Sequence, residues 1–262
     1  MKFKKSLGQN LLIDKNIIKK ILSLASFKDK EIIEIGPGTG SLSFEILKLN
    51  PLKLICIEKD KLFAKKLSII SKAEKKLITI NEDILKFNIK RLIAKEAIII
   101  GNLPYNISTQ ILIKFIRINP WPPKYKKLIF MFQKEVGEKI MAKLGNKNYS
   151  RLSIITRSRL KIMNYFYVSK NSFFPKPNVD SIVIEFKPIV KKEINFKSIK
   201  SLENITNIFF SNKRKMINKT FKKLKIDNKE FLKKNNINLR LRPENLSESL
   251  YYKITEYYEK IK

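Results

Sequence analysis

Within five residues, Gly101-Asn102-Leu103-Pro104-Tyr105 combines a side-chain amide, a stiffened turn and an aromatic ring. The run follows an apolar, strand-like stretch at 97–100 and precedes a helix-like stretch at 107–118. That order places it at the carboxyl end of a parallel strand, where open α/β sheets bind their ligands. Pro104 fixes its own φ and biases Leu103 away from the helical region. The loop thereby holds the Asn102 amide and the Leu103–Pro104 carbonyls at set positions, and Tyr105 offers a flat face to a planar base. Acceptor oxygens beside a stacking face suit an aromatic amine. The same residues also occur at ordinary strand-to-turn junctions, so their meaning depends on what accompanies them.

The elements that must position this loop begin upstream. The stretch Glu31-Ile-Ile-Glu-Ile-Gly36-Pro-Gly38-Thr-Gly40 reads as a strand and a glycine-rich turn, and 41–49 as the helix that follows. Glycines without a Cβ let backbone N–H groups approach a ligand closely. The pattern is G-x-G-x-G, because the third small position of the dinucleotide fingerprint falls on Ser41. This spacing points away from a nicotinamide dinucleotide and toward another adenosine-bearing ligand. A second strand, 53–58, ends in Glu58, which lies 22 residues past Gly36 (58 − 36). That is close to the ~20 residues expected for an acid that grips ribose hydroxyls. A third strand, 77–80, leads into Asn81-Glu82-Asp83. Either Glu82 or Asp83 could accept from an adenine amino group, and spacing does not choose between them.

Composition bounds the chemistry. The chain has 262 residues, one cysteine (Cys56) and no histidine. A histidine base, a Ser-His or Cys-His pair and a His-ligated zinc are excluded, so the chemistry must run on carboxylates, amides, aromatics or a cofactor. Lys and Arg number 56 against 23 Asp and Glu, a formal net charge of +33 that favours a polyanionic partner, nucleic acid first. Lysine, isoleucine and asparagine are abundant throughout, so compositional drift inflates that charge, and its sign is more informative than its size. No apolar run approaches the ~20 residues of a membrane span, and the basic start, Met1 to Lys5, lacks a secretory core. The expectation is a cytoplasmic protein.

Strand and helix patterns alternate from residue 31 to 132, the mark of a doubly wound sheet with right-handed crossovers. The antiparallel-looking stretches 161–168 and 181–186 would close that sheet. Between them lies Phe173-Phe174-Pro175-Lys176-Pro177-Asn178-Val179-Asp180-Ser181, where two prolines rigidify a loop whose phenylalanines offer a second stacking face. Core packing is the ordinary fate of such residues. Beyond Pro188 strand signals fade, and 198–223 and 246–260 read as helices around the basic run Asn212-Lys213-Arg214-Lys215. We therefore expect two domains, 1–188 and 189–262, with the second a small helical unit. Near the N-terminus, Lys4 and Lys5 belong to a basic arm, while Gln9 and Asn10 form a polar pair that could touch a ligand.

The order of these pieces resembles that of the KsgA-type ribosomal RNA adenine dimethyltransferases over nearly the whole chain. Gly8-Gln9-Asn10-Leu11-Leu12 is similar to the family's opening motif, Glu34 to Gly40 to its S-adenosylmethionine loop, and Asn102 to Tyr105 to its catalytic loop. Phe173-x-Pro-x-Pro-x-Val-Asp-Ser is similar to its second aromatic motif, and Phe210 to Lys215 to a basic motif of its C-terminal domain. Leu7 stands where an aromatic is usual and Asn212 where glutamine is usual. The resemblance implies a Rossmann-like class I methyltransferase sheet. Cofactor contacts would come from Gln9, Asn10, Leu12, Gly36, Gly38, Gly40, Glu58, Asp83 and Asn102, with Asp83 preferred to Glu82 as the adenine ligand. Asn102, Leu103, Pro104, Tyr105 and Phe173 would surround the target base. Lys4, Lys5, Lys213, Arg214 and Lys215 would bind RNA phosphates. The implied substrate is two adjacent adenines near the 3′ end of small-subunit ribosomal RNA in a pre-30S particle, and the implied enzyme is a monomer.

Macrolide-resistance methylases that act on large-subunit RNA share most of these motifs, and the Phe210–Lys215 run favours the small-subunit reading. A non-catalytic RNA-binding assembly factor would not need Glu58, Asp83 and Asn102 together. A DNA adenine methylase resembles this loop less, because position 103 is Leu where those enzymes carry a second proline.

Overall fold

The computed structural model describes residues 10–190 and 195–262. Its central sheet has seven strands in the order β4-β3-β2-β5-β6-β9-β7, comprising β2 (Glu31–Ile35), β3 (Lys53–Glu58), β4 (Leu77–Asn81), β5 (Ile98–Asn102), β6 (Lys127–Gln133), β7 (Leu160–Val168) and β9 (Ser181–Pro188). The strands β4, β3, β2, β5 and β6 pair in parallel, and β9 joins β6 antiparallel. A parallel sheet has both faces covered, so its strands are apolar almost throughout: Ile32, Ile33, Leu54, Ile55, Ile98 and Ile99 are all buried. Alternation assigns the faces. Ile32, Ile98, Ile129 and Val183 meet α1 (Lys15–Leu22) and α2 (Ser41–Lys48) in one core cluster. Phe130, facing the other way, lies 5.5 Å from Phe115 of α4 (Ser108–Ile116).

Helix starts are encoded locally. Asp14 caps α1 by accepting from the Asn16 and Ile17 N–H groups, and Asp60 caps α3 (Lys61–Ala73) through the Leu62 N–H. Two short strands that sequence patterning does not reveal, β1 (Leu11–Leu12) and β8 (Phe173–Phe174), pair antiparallel. Strand β5 also runs further than expected, because Gly101 and Asn102 belong to it. The strand order reverses between β2 and β5, which opens a crevice at their carboxyl ends. The two backbones approach closely there. A Cβ on Gly101 would stand 2.7 Å from the Ile35 carbonyl oxygen, so this position requires glycine.

The chain forms two compact units. One comprises the residues up to Gly137 together with Lys161–Pro188, and the other comprises Glu138–Leu160 with Ile189–Lys262. One break between the units falls after Pro188, and 138–160 groups with the C-terminal helices. The reason is that α6 (Arg151–Arg157) packs against α7 (Ile199–Phe210) and α10 (Glu248–Ile261). Two buried tyrosines tie this unit together, Tyr149 donating to the Leu246 carbonyl at 3.0 Å and Tyr251 to the Pro243 carbonyl at 2.8 Å. α5 (Lys134–Met141) leads into this unit, and α8 (Asn218–Lys223) and α9 (Lys229–Lys234) complete its helices. The expected single helix over 198–223 is interrupted at 211–217, where the basic run forms a turn. No described helix is long and apolar enough to cross a membrane.

Candidate active site

The crevice at the strand-order reversal is a cavity of about 1100 Å³, counting the open space at its mouth. Five chain segments line most of it: 10–12, the glycine loop with Glu34, the end of β3 with Glu58, the end of β4 with Glu82 and Asp83, and the 102–107 loop. All but 10–12 lie at the carboxyl ends of central strands, so the sheet fixes their spacing.

Gly36, Gly38 and Gly40 all have positive φ, which costs a residue lacking a Cβ little. The turn is anchored from β3. The Gly36 N–H donates to the Ile57 carbonyl at 2.9 Å, and the Gly38 N–H to Glu58 Oε2 at 3.0 Å. Glu58 Oε1 accepts the Asp60 N–H at 2.7 Å. Burial pushes the Glu58 carboxyl up, while these two N–H bonds draw it back. Each carboxylate oxygen retains a second lone pair for a ligand hydroxyl.

On the neighbouring strand end, Asp83 Oδ2 pairs with Lys59 Nζ at 2.9 Å and Oδ1 accepts the Leu85 N–H at 2.9 Å. Burial works to raise the Asp83 carboxyl, but the Lys59 ammonium and the Leu85 N–H outweigh it and hold it below the usual carboxylate range. It is therefore an ionised acceptor at the rim. Ile57, Ile84 and Phe63 add apolar lining to the same cavity. A buried third acid, Glu34, lies under the loop and accepts from Ser43 Oγ at 2.5 Å.

Asn102 closes the other side. Its Nδ2 donates to the Asn10 carbonyl at 2.8 Å, which orients the amide and leaves its oxygen as the acceptor for a ligand. The Pro104 carbonyl accepts the Ile107 N–H at 3.1 Å, which tightens the turn into α4. Tyr105 is held by its hydroxyl, 2.6 Å from Ser181 Oγ at the start of β9. Ser181 was not singled out for this role by sequence, and neither were Lys59 and Glu34.

Phe173, which the family resemblance places beside the base, is 3% exposed and belongs to the core cluster, and it is not among the residues that line the cavity. Its β8 neighbour Phe174 is 59% exposed, because successive strand residues face opposite ways. Leu12 and Asn10 line the cavity, while Gln9, Lys4 and Lys5 lie outside the described residues. In the helical unit, Lys213 forms an ion pair with Glu244 at 3.0 Å, and Arg214 and Lys215 are exposed.

Comparison with known proteins converges on this arrangement. The family model "Ribosomal RNA adenine dimethylase" matches residues 1–260. The chain is 41% identical to the ribosomal RNA small subunit methyltransferase A of Pelagibacter ubique, over 100% of this chain and 99% of that protein. A crystal structure of a dimethyladenosine transferase from Plasmodium falciparum superposes with a TM-score of 0.74 at 27% identity, covering 93% of this chain and 95% of that one. The 23S rRNA methyltransferase ErmE has the same fold, with a TM-score of 0.68 at 19% identity over 95% of this chain and 100% of that one. A motif order that runs from the glycine loop to the C-terminal helices, matched over the full length, makes this chain a member of the ribosomal RNA adenine dimethylase family.

Proposed function

We propose that the protein dimethylates the exocyclic N6 amines of two adjacent adenines near the 3′ end of 16S ribosomal RNA, using S-adenosylmethionine, on an assembling small subunit in the cytoplasm. The observation that carries this reading is the orientation of Asn102. Its N–H is committed to the Asn10 carbonyl, so its oxygen can accept an N–H from the target amine.

The lining of the cavity supports S-adenosylmethionine as the cofactor. The glycine loop turns through three positive-φ residues and borders the cavity together with Glu58 and Asp83. Glu58 would accept from the ribose hydroxyls, and Asp83, held ionised by Lys59, would accept from the adenine amino group. When bound, S-adenosylmethionine supplies an activated methyl group, so no protein nucleophile is needed.

The protein's own residues then do three things. Tyr105, its ring fixed through Ser181, stacks on an adenine taken out of its helix. Asn102 Oδ1 and the Leu103 carbonyl accept the amine hydrogens, drawing the nitrogen lone pair out of conjugation with the ring. As the nitrogen attacks the methyl carbon it becomes positively charged and its hydrogens more acidic, so these bonds strengthen in the transition state. After methyl transfer the nitrogen would release one proton, and Asn102 Oδ1 or the Leu103 carbonyl would keep hold of the hydrogen that remains. Arg214, Lys215 and the N-terminal lysines would hold RNA phosphates, and the enzyme would act as a monomer.

Labelled methyl transfer onto unmodified 30S particles, followed by nucleoside mass analysis, tests the reading. The expected product is N6,N6-dimethyladenosine in 16S RNA. No label in 16S RNA, or label that yields no N6,N6-dimethyladenosine, would overturn it.

A further inference from the structure

The outer strand β7 has an unusual solvent face. An exposed edge strand ordinarily turns polar residues outward. Here the alternate positions Met163, Tyr165 and Tyr167 face solvent, with Tyr165 54% and Tyr167 50% exposed. The intervening Phe166 turns the other way, packs against the core and lies under the Lys20 ammonium at 4.4 Å. The strand therefore has its core contact already, and the two tyrosines are not needed to make it. They lie edge to face, with centroids 6.2 Å apart and planes at 84°, so each ring keeps surface open. No acid occurs between Leu160 and Val168.

This face is connected to the catalytic loop. Lys134 Nζ stands 5.5 Å from the Tyr167 centroid, and the Lys134 N–H donates to the Asp180 carbonyl at 2.9 Å. The next residue, Ser181, holds the Tyr105 hydroxyl at 2.6 Å and pairs in register with Gln133. A short chain of contacts thus joins Tyr167 to the ring on which the target base would stack.

We propose that Tyr165 and Tyr167 form a stacking platform for unpaired RNA bases flanking the target adenine, with Lys134 meeting the adjoining phosphate. This rests on the reading of the chain as an RNA adenine methylase. Aromatic faces beside a lysine are the elements by which proteins hold single-stranded nucleic acid. Charge selects the occupant. A second copy of a chain carrying +33 would be repelled from this edge, whereas a polyanion is attracted to it.

The test is titration of a labelled single-stranded RNA oligonucleotide, with two adjacent adenines and unpaired flanks, into the full-length protein. Y165A/Y167A should weaken binding roughly 5- to 150-fold for each base that is stacked. Y165F/Y167F, which keeps the rings, should stay within about threefold, because stacking uses the ring face. The salt dependence of binding should be the same in all three proteins, since no cation is removed. Unchanged S-adenosylmethionine affinity in the alanine variant reports an intact fold. The proposal is overturned if the alanine variant binds RNA like wild type, if the phenylalanine variant loses as much as the alanine one, or if wild type sediments as a dimer that the alanine variant abolishes. Failure of the broader reading is distinguishable. Wild type would then transfer no methyl group to adenine in 30S particles, whatever the titration shows.

Discussion

Replacing Glu34 by Gln isolates the cost of a buried carboxylate beneath the glycine loop. Glu34 is 2% exposed. Burial pushes its pKa up to about 7 from 4.5; hydrogen bonds from Ser43 and Cys56 oppose the rise, and the charge of Glu58 adds to it. A folded-state pKa above the unfolded one means that the folded protein holds the proton more tightly, so ionisation is destabilising. The stability associated with the neutral carboxyl is fully present below pH 4.5, is lost as pH rises toward about 7, and is absent above that. At ~1.4 kcal/mol per pH unit, the window corresponds to about 3 kcal/mol. Glu34→Gln is neutral at every pH. The unfolding free energy of the variant minus that of wild type should therefore climb by about 3 kcal/mol across this window and then level off. Its absolute level includes a constant contribution from the new amide N–H groups, so only the slope is diagnostic. Urea denaturation of the cofactor-free protein at intervals from about pH 4 to 8 supplies the curve. A difference that stays level across this range would refute the reasoning, because the carboxyl would then titrate alike in the folded and unfolded chains.

Other consequences follow from the same geometry. Glu58→Ala should weaken S-adenosylmethionine binding by ~1.5–3 kcal/mol, as for hydrogen bonds to a charged group; unchanged calorimetric affinity would remove Glu58 from the ribose site. Gly101→Ala places a methyl group against the Ile35 carbonyl and should cost ~1–3 kcal/mol of stability, read as a lower denaturation midpoint. Replacing Arg214 and Lys215 by Ala should weaken RNA binding and reduce its salt slope by about 2, with cofactor affinity unmoved. Lys213→Ala should add less to that change, because its ammonium is already paired with Glu244.

What was legible in the sequence is what is encoded locally. The glycine loop, Glu58 at its strand end and the Asn102–Tyr105 turn each announce themselves within a few residues, and strand periodicity arranges them in a doubly wound sheet. Contacts made across long stretches of chain were not legible. Asn102 takes its orientation from Asn10, 92 residues away, and Tyr105 is anchored by Ser181, 76 residues away. The two-residue strands β1 and β8 are too short to show a period, yet their pairing turns Phe173 into the core and Phe174 outward. The grouping of 138–160 with the C-terminal helices depends on packing among α6, α7 and α10, which amphipathic pattern alone does not assign to a partner. Nor could charge counting separate Lys213, committed to an ion pair, from its exposed neighbours Arg214 and Lys215.

The central claim is that Asn102 acts on the reacting amine and hardly on ground-state binding. Single-turnover methylation of unmodified 30S particles by Asn102→Ala, at saturating particle and cofactor, tests it most directly. Loss of a hydrogen bond that strengthens in the transition state should slow the chemical step roughly 100- to 1000-fold, by analogy with removal of one oxyanion-hole donor. RNA and cofactor affinities should stay within about threefold, because phosphate contacts elsewhere supply most of the RNA binding. A chemical step at the wild-type rate, or a defect that vanishes at saturation, would contradict the account and leave Asn102 as a residue that only braces Asn10.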